Sequence, residues 1–243
     1  HASNKKFVLV LAHIRGEPMA NSSVSKNTTT LLFDHDGTLI NSEHVHFTLW
    51  QEIVASYGAE LTDEFYCKVM AGIPVKQNAK DVVKHFSLDA VPEQLAKKKH
   101  DKIEEYLLQQ AFPLMPYAAE TIKACAEAGY TLGIVTGGST LSVEKTLTSY
   151  GLAQYISCVV AVEDVTHSKP APDCYQLAMK KLGVSPGECI AIEDTYTGMQ
   201  SALSAELACV VVPTTQSAIH DFTKATSRYE SLQLWVEQEI TGR

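Results

Sequence analysis

Short apolar runs recur along the chain, and segments of helical period separate them. Residues 30–33 (TLLF) form the first run; residues 130–135 (YTLGIV), 157–162 (SCVVAV), 189–192 (CIAI) and 209–212 (CVVV) follow. Such runs are apolar throughout rather than alternating, as expected of strands covered on both faces. Amphipathic segments lie at 118–127, 141–150, 173–182 and 197–204; in the third, Tyr175, Leu177, Ala178 and Leu182 supply the apolar side. Strands alternating with helices predict an α/β fold built on a parallel sheet.

Between 43 and 113 that rhythm stops. Helical spacings continue (Phe47, Trp50, Val54, Tyr57; Val82, Val83, Phe86; Ile103, Leu107), but no strand run appears. An interval of that length is too long for a structureless connection. It predicts a small helical unit inserted after the first strand, hinged at Ser42–Glu43 and at Leu114–Pro116. The stretch Lys97, Lys98, Lys99, His100 reads as a solvated helix face. The chain then divides into an N-terminal extension (1–29), a core (30–42 and 114–243) and a helical insert (43–113). Residues 21–30 are polar and aperiodic, so a loop. Met19 is the expected natural start, with 1–18 as non-native or readthrough sequence.

Composition narrows the classes. The chain has 243 residues, 45% of them hydrophobic, which is enough for a sizeable core. A net charge of −8 offers no basic field for nucleic acid or an anionic membrane. No apolar run approaches the length of a membrane-spanning helix. The six cysteines (67, 125, 158, 174, 189, 209) form no CxxC pair and mostly sit in apolar runs, which fits free buried thiols. The expectation is a cytoplasmic protein without nucleic-acid or membrane partners, monomeric or weakly homodimeric.

The candidate chemistry lies where the runs end. The first runs into Asp34-His35-Asp36-Gly37-Thr38, the second into Thr136-Gly137-Gly138-Ser139, and the fourth into Glu193-Asp194. Lys169 lies in the loop after the third, within Ser168-Lys169-Pro170-Ala171-Pro172-Asp173. Open α/β sheets bind ligands at the carboxyl ends of their strands. Asp34, Asp36, Glu193 and Asp194 would gather four carboxylates there, and such a cluster stays ionised only with a cation. All-oxygen donors select a hard ion, Mg²⁺. Thr136, Gly137, Gly138 and Ser139 offer a hydroxyl and N–H groups to an anion at a helix start, and Ser139 also suits a cap. Lys169, restrained by flanking prolines, supplies a balancing cation. Residues two apart in extended backbone share a side, so Asp34 and Asp36 face the crevice while His35 points elsewhere.

Asp-x-Asp-Gly-Thr, a threonine after the second strand, Lys-Pro-x-Pro-Asp and Glu-Asp-x-x-x-Gly, in this order, resemble the haloacid dehalogenase superfamily of phosphotransferases over about residues 30–212. The insert resembles that superfamily's first, helical cap type. The resemblance implies a Rossmann-like, doubly wound core with an inserted α-helical cap. It makes Asp34 a nucleophile that forms an aspartyl phosphate. Asp36 becomes the general acid and then the base, its backbone carbonyl a metal ligand. Thr136 and Lys169 hold the phosphoryl oxygens, and Glu193 and Asp194 complete the Mg²⁺ site with Asp34 and Asp36. The implied substrate is a small phosphorylated metabolite of the sugar-phosphate or phosphoglycolate type.

Asp36 argues against dehalogenation, because a halide leaving group needs no proton. Phosphonate-cleaving relatives use a cap lysine, and nothing marks Lys68 or Lys76 as one. The alternative is a β-phosphoglucomutase-like mutase: His46-Phe47 and Trp50 resemble its hinge segment, which makes His46 a substrate-binding candidate. That branch, however, grips a second phosphate with Lys-Gly-x-x-Arg, and here Ala71-Gly72-Ile73-Pro74-Val75 lacks both cations, so a phosphatase is expected. A silent regulatory protein would have lost a carboxylate or Lys169, and none is missing. Three departures bear on local geometry: His35 replaces a bulky apolar residue, Tyr117 stands where glycine is common, and Ala205-Glu206 replaces a small-residue pair.

Overall fold

The structure is a computed structural model that describes residues 22–242. The expectation about residues 1–18 lies outside the described residues. In chain order the elements are β1 (Thr30–Phe33), α1 (Glu43–Ala55), α2 (Val75–Phe86), α3 (Pro92–Gln109), α4 (Ala118–Glu127), β2 (Thr131–Val135), α5 (Thr140–Ser149), β3 (Ile156–Val160), α6 (Asp173–Leu182), β4 (Cys189–Glu193), α7 (Tyr196–Ser204), β5 (Ala208–Val211), β6 (Ser227–Arg228) and α8 (Leu232–Trp235). Two short helical turns, Asp63–Phe65 and Tyr66–Met70, lie between α1 and α2.

The six-stranded sheet has the order β3-β2-β1-β4-β5-β6, and every pairing is parallel. The chain winds outward from β1 through β2 to β3, then returns to the other side of β1 with β4. That is the doubly wound, Rossmann-like arrangement, with its switch point between β1 and β4. Alternation along β1 divides the core. Leu31 and Phe33 join one apolar cluster with Ile122 of α4, Val143 of α5 and Trp235 of α8; Leu32 joins the opposite one with Tyr175 and Ala178 of α6 and Met199 of α7. Burial on both faces explains why the strands read as unbroken apolar runs.

Between β1 and β2 the described residues form only helices and connecting turns. These helices have their own apolar cluster, including Trp50, Ile53, Val82 and Leu95. A small third contact, built on Ile40, Leu107 and Phe112, joins them to the sheet-bearing part. The two connecting passages run side by side: Asn41 N–H donates to Pro113 O at 2.8 Å and Met115 N–H to Leu39 O at 2.9 Å.

One expectation is overturned here. Lys97, Lys98 and His100 are exposed, but Lys99 is fully buried, facing α1 instead of solvent. The third strand is also earlier than expected, ending at Val160. The two-residue β6 and the short α8 carried no apolar run long enough to announce them. Cys125, Cys158, Cys174, Cys189 and Cys209 are buried free thiols as expected, whereas Cys67 is exposed. No helix among the described residues is long and apolar enough to cross a membrane.

Candidate active site

Sheet register explains why the motifs meet. Phe33 pairs with Ile192 on one side and Ile134 on the other. The next residues, Asp34, Glu193 and Val135, therefore lie at one level at the carboxyl ends of their strands, and Thr136 follows Val135 immediately. Asp34 N–H still donates to Ile192 O at 2.9 Å, so the ladder holds the nucleophile candidate's backbone. Asp34, Thr136, Glu193 and Asp194 are all buried.

Lys169 closes the group. Its ammonium donates to Asp34 Oδ1 at 2.7 Å, to Glu193 Oε1 at 2.6 Å and to Val135 O at 2.9 Å, which uses all three of its N–H bonds. Burial alone would lower the Lys169 pKa; Asp34 and Glu193 outweigh it and hold the ammonium above its ordinary value. Burial, then the Asp34 charge, raises Glu193 despite Lys169. Burial, then Asp34 and Glu193, raises Asp194 well above an ordinary aspartate. One lysine thus faces three buried carboxylates.

Ligand oxygens of Asp34, Glu193 and Asp194 lie within 4.8 Å of one another. Glu193 Oε2 and Asp194 Oδ1 are buried without a hydrogen-bond partner. Buried, unpartnered carboxylate oxygens beside a net negative charge fit a hard divalent cation. Two glycines make room for this crowding. Gly37 has φ +79°, and a Cβ on it would overlap the Asp194 carboxylate; a Cβ on Gly198 would overlap Glu193.

Asp36 stands apart from that cluster. Its Oδ1 accepts from Ser42 Oγ at 2.6 Å, at the start of α1. Burial raises its pKa, against the Ser42 bond and Lys169. His35 points to the other face of the sheet, as expected. Thr146 Oγ1 donates to Ser142 O, so His35 Nε2–H donates to Thr146 Oγ1, at 3.0 Å. Burial lowers the His35 pKa to about 4, so it is a neutral core residue.

The Thr136-Gly137-Gly138-Ser139 turn is partly self-satisfied. Gly138 N–H donates to Thr136 Oγ1 at 2.9 Å, and Ser139 Oγ caps α5 by accepting from Ser142 N–H at 3.3 Å. Gly137 is exposed. The turn still borders the site, since a Cβ on Gly138 would lie 2.9 Å from Asp36 Oδ2.

His46 belongs to a polar line on the helical segment. Glu43 and His46 lie one turn apart on one side of α1, and Ser42 stands at its N-cap position. Glu43 accepts from Tyr66 Oη at 2.8 Å. His46 Nδ1 accepts from Lys99 Nζ at 2.9 Å, and that ammonium lies 5.7 Å from the Trp50 ring centroid. Burial, partly offset by Glu43, brings the Lys99 pKa down to about 7. Burial and then Lys99 bring His46 to about 3. Sequence reasoning missed Ser42, Glu43, Lys99 and Tyr175. Lys99 had a usable signal, because it falls four residues from both Leu95 and Ile103 on one helical stripe.

Comparison with known proteins agrees with this arrangement. A family model described as haloacid dehalogenase-like hydrolase matches residues 31–212. The fructose-1-phosphate phosphatase YqaB of Escherichia coli (strain K12) is 30% identical over 75% of this chain and 95% of its own. The validoxylamine A 7′-phosphate phosphatase of Streptomyces hygroscopicus subsp. limoneus is 32% identical over 77% of this chain and 86% of its own. Among solved structures, CbbY from Rhodobacter sphaeroides in complex with phosphate superposes with a TM-score of 0.72 at 26% identity, over 84% of this chain and 95% of that one. With its motifs at the carboxyl ends of β1, β2 and β4 and around Lys169, the chain belongs to the haloacid dehalogenase-like hydrolases.

Proposed function

We propose that the chain is a Mg²⁺-dependent phosphatase acting on a small phosphorylated metabolite of the sugar-phosphate type, through an aspartyl phosphate on Asp34. The observation that carries this is Lys169 bonded to both Asp34 and Glu193 inside a buried carboxylate cluster, with Asp36 held nearby by Ser42. The names of the relatives point the same way, since fructose 1-phosphate and validoxylamine A 7′-phosphate are phosphorylated metabolites.

In this mechanism Asp34 attacks phosphorus while Asp36 gives its proton to the leaving alcohol. Asp36 then takes a proton from the water that opens the aspartyl phosphate. Ser42 fixes the Asp36 carboxyl for both steps. Lys169 and Thr136 face the phosphoryl oxygens, with Gly137, Gly138 and Ser139 bordering the same anion site. Asp34, Glu193, Asp194 and the Asp36 carbonyl would hold Mg²⁺, which when bound neutralises the phosphoryl charge. The helical segment acts as a cap, with Glu43 and His46 meeting the hydroxylated part of the substrate and the buried Lys99 holding the His46 ring from behind.

The test is phosphate release from a panel of sugar phosphates, phosphoglycolate and nucleotides with Mg²⁺, by wild type and Asp34→Asn. The variant should be inactive on every compound. A coupled assay for glucose 6-phosphate from β-glucose 1-phosphate runs beside it. Product there without free phosphate would replace the phosphatase by a mutase.

A further inference from the structure

Tyr175 lies on α6, fully buried among Cys174, Ala178 and Met179, where a phenylalanine would fill the same space. Its hydroxyl has one partner given by the geometry: it donates to Glu193 Oε1 at 2.5 Å. That is the same oxygen that Lys169 contacts at 2.6 Å, and the Lys169 ammonium sits 5.2 Å from the Tyr175 ring centroid. Resting on the phosphatase reading above, we infer that Tyr175 is a positioning residue for phosphoryl transfer. Its hydroxyl holds the Glu193 carboxylate, and through it the placement of Lys169 and of the bound divalent cation.

Among the described residues two donors engage the Glu193 carboxylate, and they differ in kind. Lys169 is a point charge at the end of a flexible stem, shared with Asp34 and Val135 O, so it attracts the carboxylate without orienting it. Gly198, beside the carboxylate, has no side chain to restrain it. The Tyr175 hydroxyl sits on a rigid ring wedged into the core, and hydrogen bonds to a charged acceptor are both strong and directional. With this bond in place, Oε1 is committed to Lys169 and Tyr175 while Oε2 stays buried and unpartnered. Without it, Glu193 is left to Lys169 alone. Lys169 then follows Glu193 rather than staying bonded to Asp34, and the carboxylate cluster loses its fixed geometry for the cation.

The experiment compares wild type with Tyr175→Phe in two assays. The first is hydrolysis of p-nitrophenyl phosphate with saturating Mg²⁺. The second needs no turnover: the unfolding midpoint is followed as Mg²⁺ is titrated. Outer partners of this kind are worth about 10- to 100-fold. The expected result is a kcat about tenfold lower with KM within about twofold, and a half-saturating Mg²⁺ concentration about tenfold higher. In a Glu193→Gln background the Tyr175→Phe change should add nothing further to the Mg²⁺ titration. Unchanged kcat and Mg²⁺ titration would overturn the inference. So would a lowered Mg²⁺-free midpoint with an unchanged Mg²⁺ titration, because that is merely a structural tyrosine. A wild type without turnover would instead sink the phosphatase reading, and the Mg²⁺ titration would still decide the role of Tyr175.

Discussion

Replacing Lys99 by methionine should make the protein more stable and a poorer enzyme. The side chain is fully buried against Trp50, and its polar contacts are His46 Nδ1 and the Glu43 charge. Its pKa falls from 10.5 to about 7. The unfolded lysine takes its proton near 10.5 and the folded one only near 7, so folding expels a proton between those values. The lysine therefore costs nothing above pH 10.5, progressively more as pH falls, and its full penalty below 7. At about 1.4 kcal/mol per pH unit the full penalty is about 5 kcal/mol. Methionine of similar length removes that penalty but leaves His46 Nδ1 without its donor, which costs about 1–3 kcal/mol. The net gain at pH 6 is then about 2–4 kcal/mol, shrinking toward zero and below it by pH 10. Denaturant unfolding of wild type and Lys99→Met at pH 6, 8 and 10 measures this directly. A variant less stable at pH 6, or a difference flat from pH 6 to 10, would refute the reasoning. On the enzymatic side, turnover of the sugar phosphate found by the panel should fall at least about tenfold while p-nitrophenyl phosphate hydrolysis holds, because the buried ammonium orients the His46 ring that faces the substrate.

Other changes separate the parts of the site. Asp36→Asn should lower steady-state turnover at least about 100-fold on a sugar phosphate and less on p-nitrophenyl phosphate, whose leaving group needs little protonation; equal losses on both would remove Asp36 from the acid role. Gly198→Ala puts a methyl group where the buried Glu193 carboxylate lies, so activity should fall about 100-fold or more and Mg²⁺ should no longer raise the unfolding midpoint. Chelation should abolish wild-type activity, and Mg²⁺ at 100 times its dissociation constant should stabilise by about 2.7 kcal/mol, read as a rise of about 5–10 °C in the midpoint. Glu206 is exposed with φ +65°, so Glu206→Gly should stabilise by about 1 kcal/mol in denaturant unfolding, and Glu206→Val should do the reverse.

The carboxyl-end motifs were legible because each follows an apolar run, and a parallel sheet sends all such ends to one edge. What the order of residues could not supply was register. That Asp34 and Glu193 lie at one level depends on Phe33 pairing with Ile192, and local composition carries no trace of that pairing. Lys99 was lost for a different reason. A run of three lysines and a histidine satisfies the rule for solvated faces, yet a helix can turn only part of such a run outward. The stripe through Leu95, Ile103 and Leu107 draws Lys99 inward with it. Tyr175 was the opposite case: its helical spacing correctly assigned it to the apolar side of α6, and that assignment hid its hydroxyl. Tyr117 and Glu206, both at φ +65°, show the same limit in the backbone. Each replaces a small residue where a left-handed conformation is required, so the local preference was overruled by the connection between neighbouring elements. In all four residues the tertiary structure places a chemically costly group where propensity would not put it. Two of them touch the proposed catalytic machinery or its substrate face, and those are the two whose cost has a use.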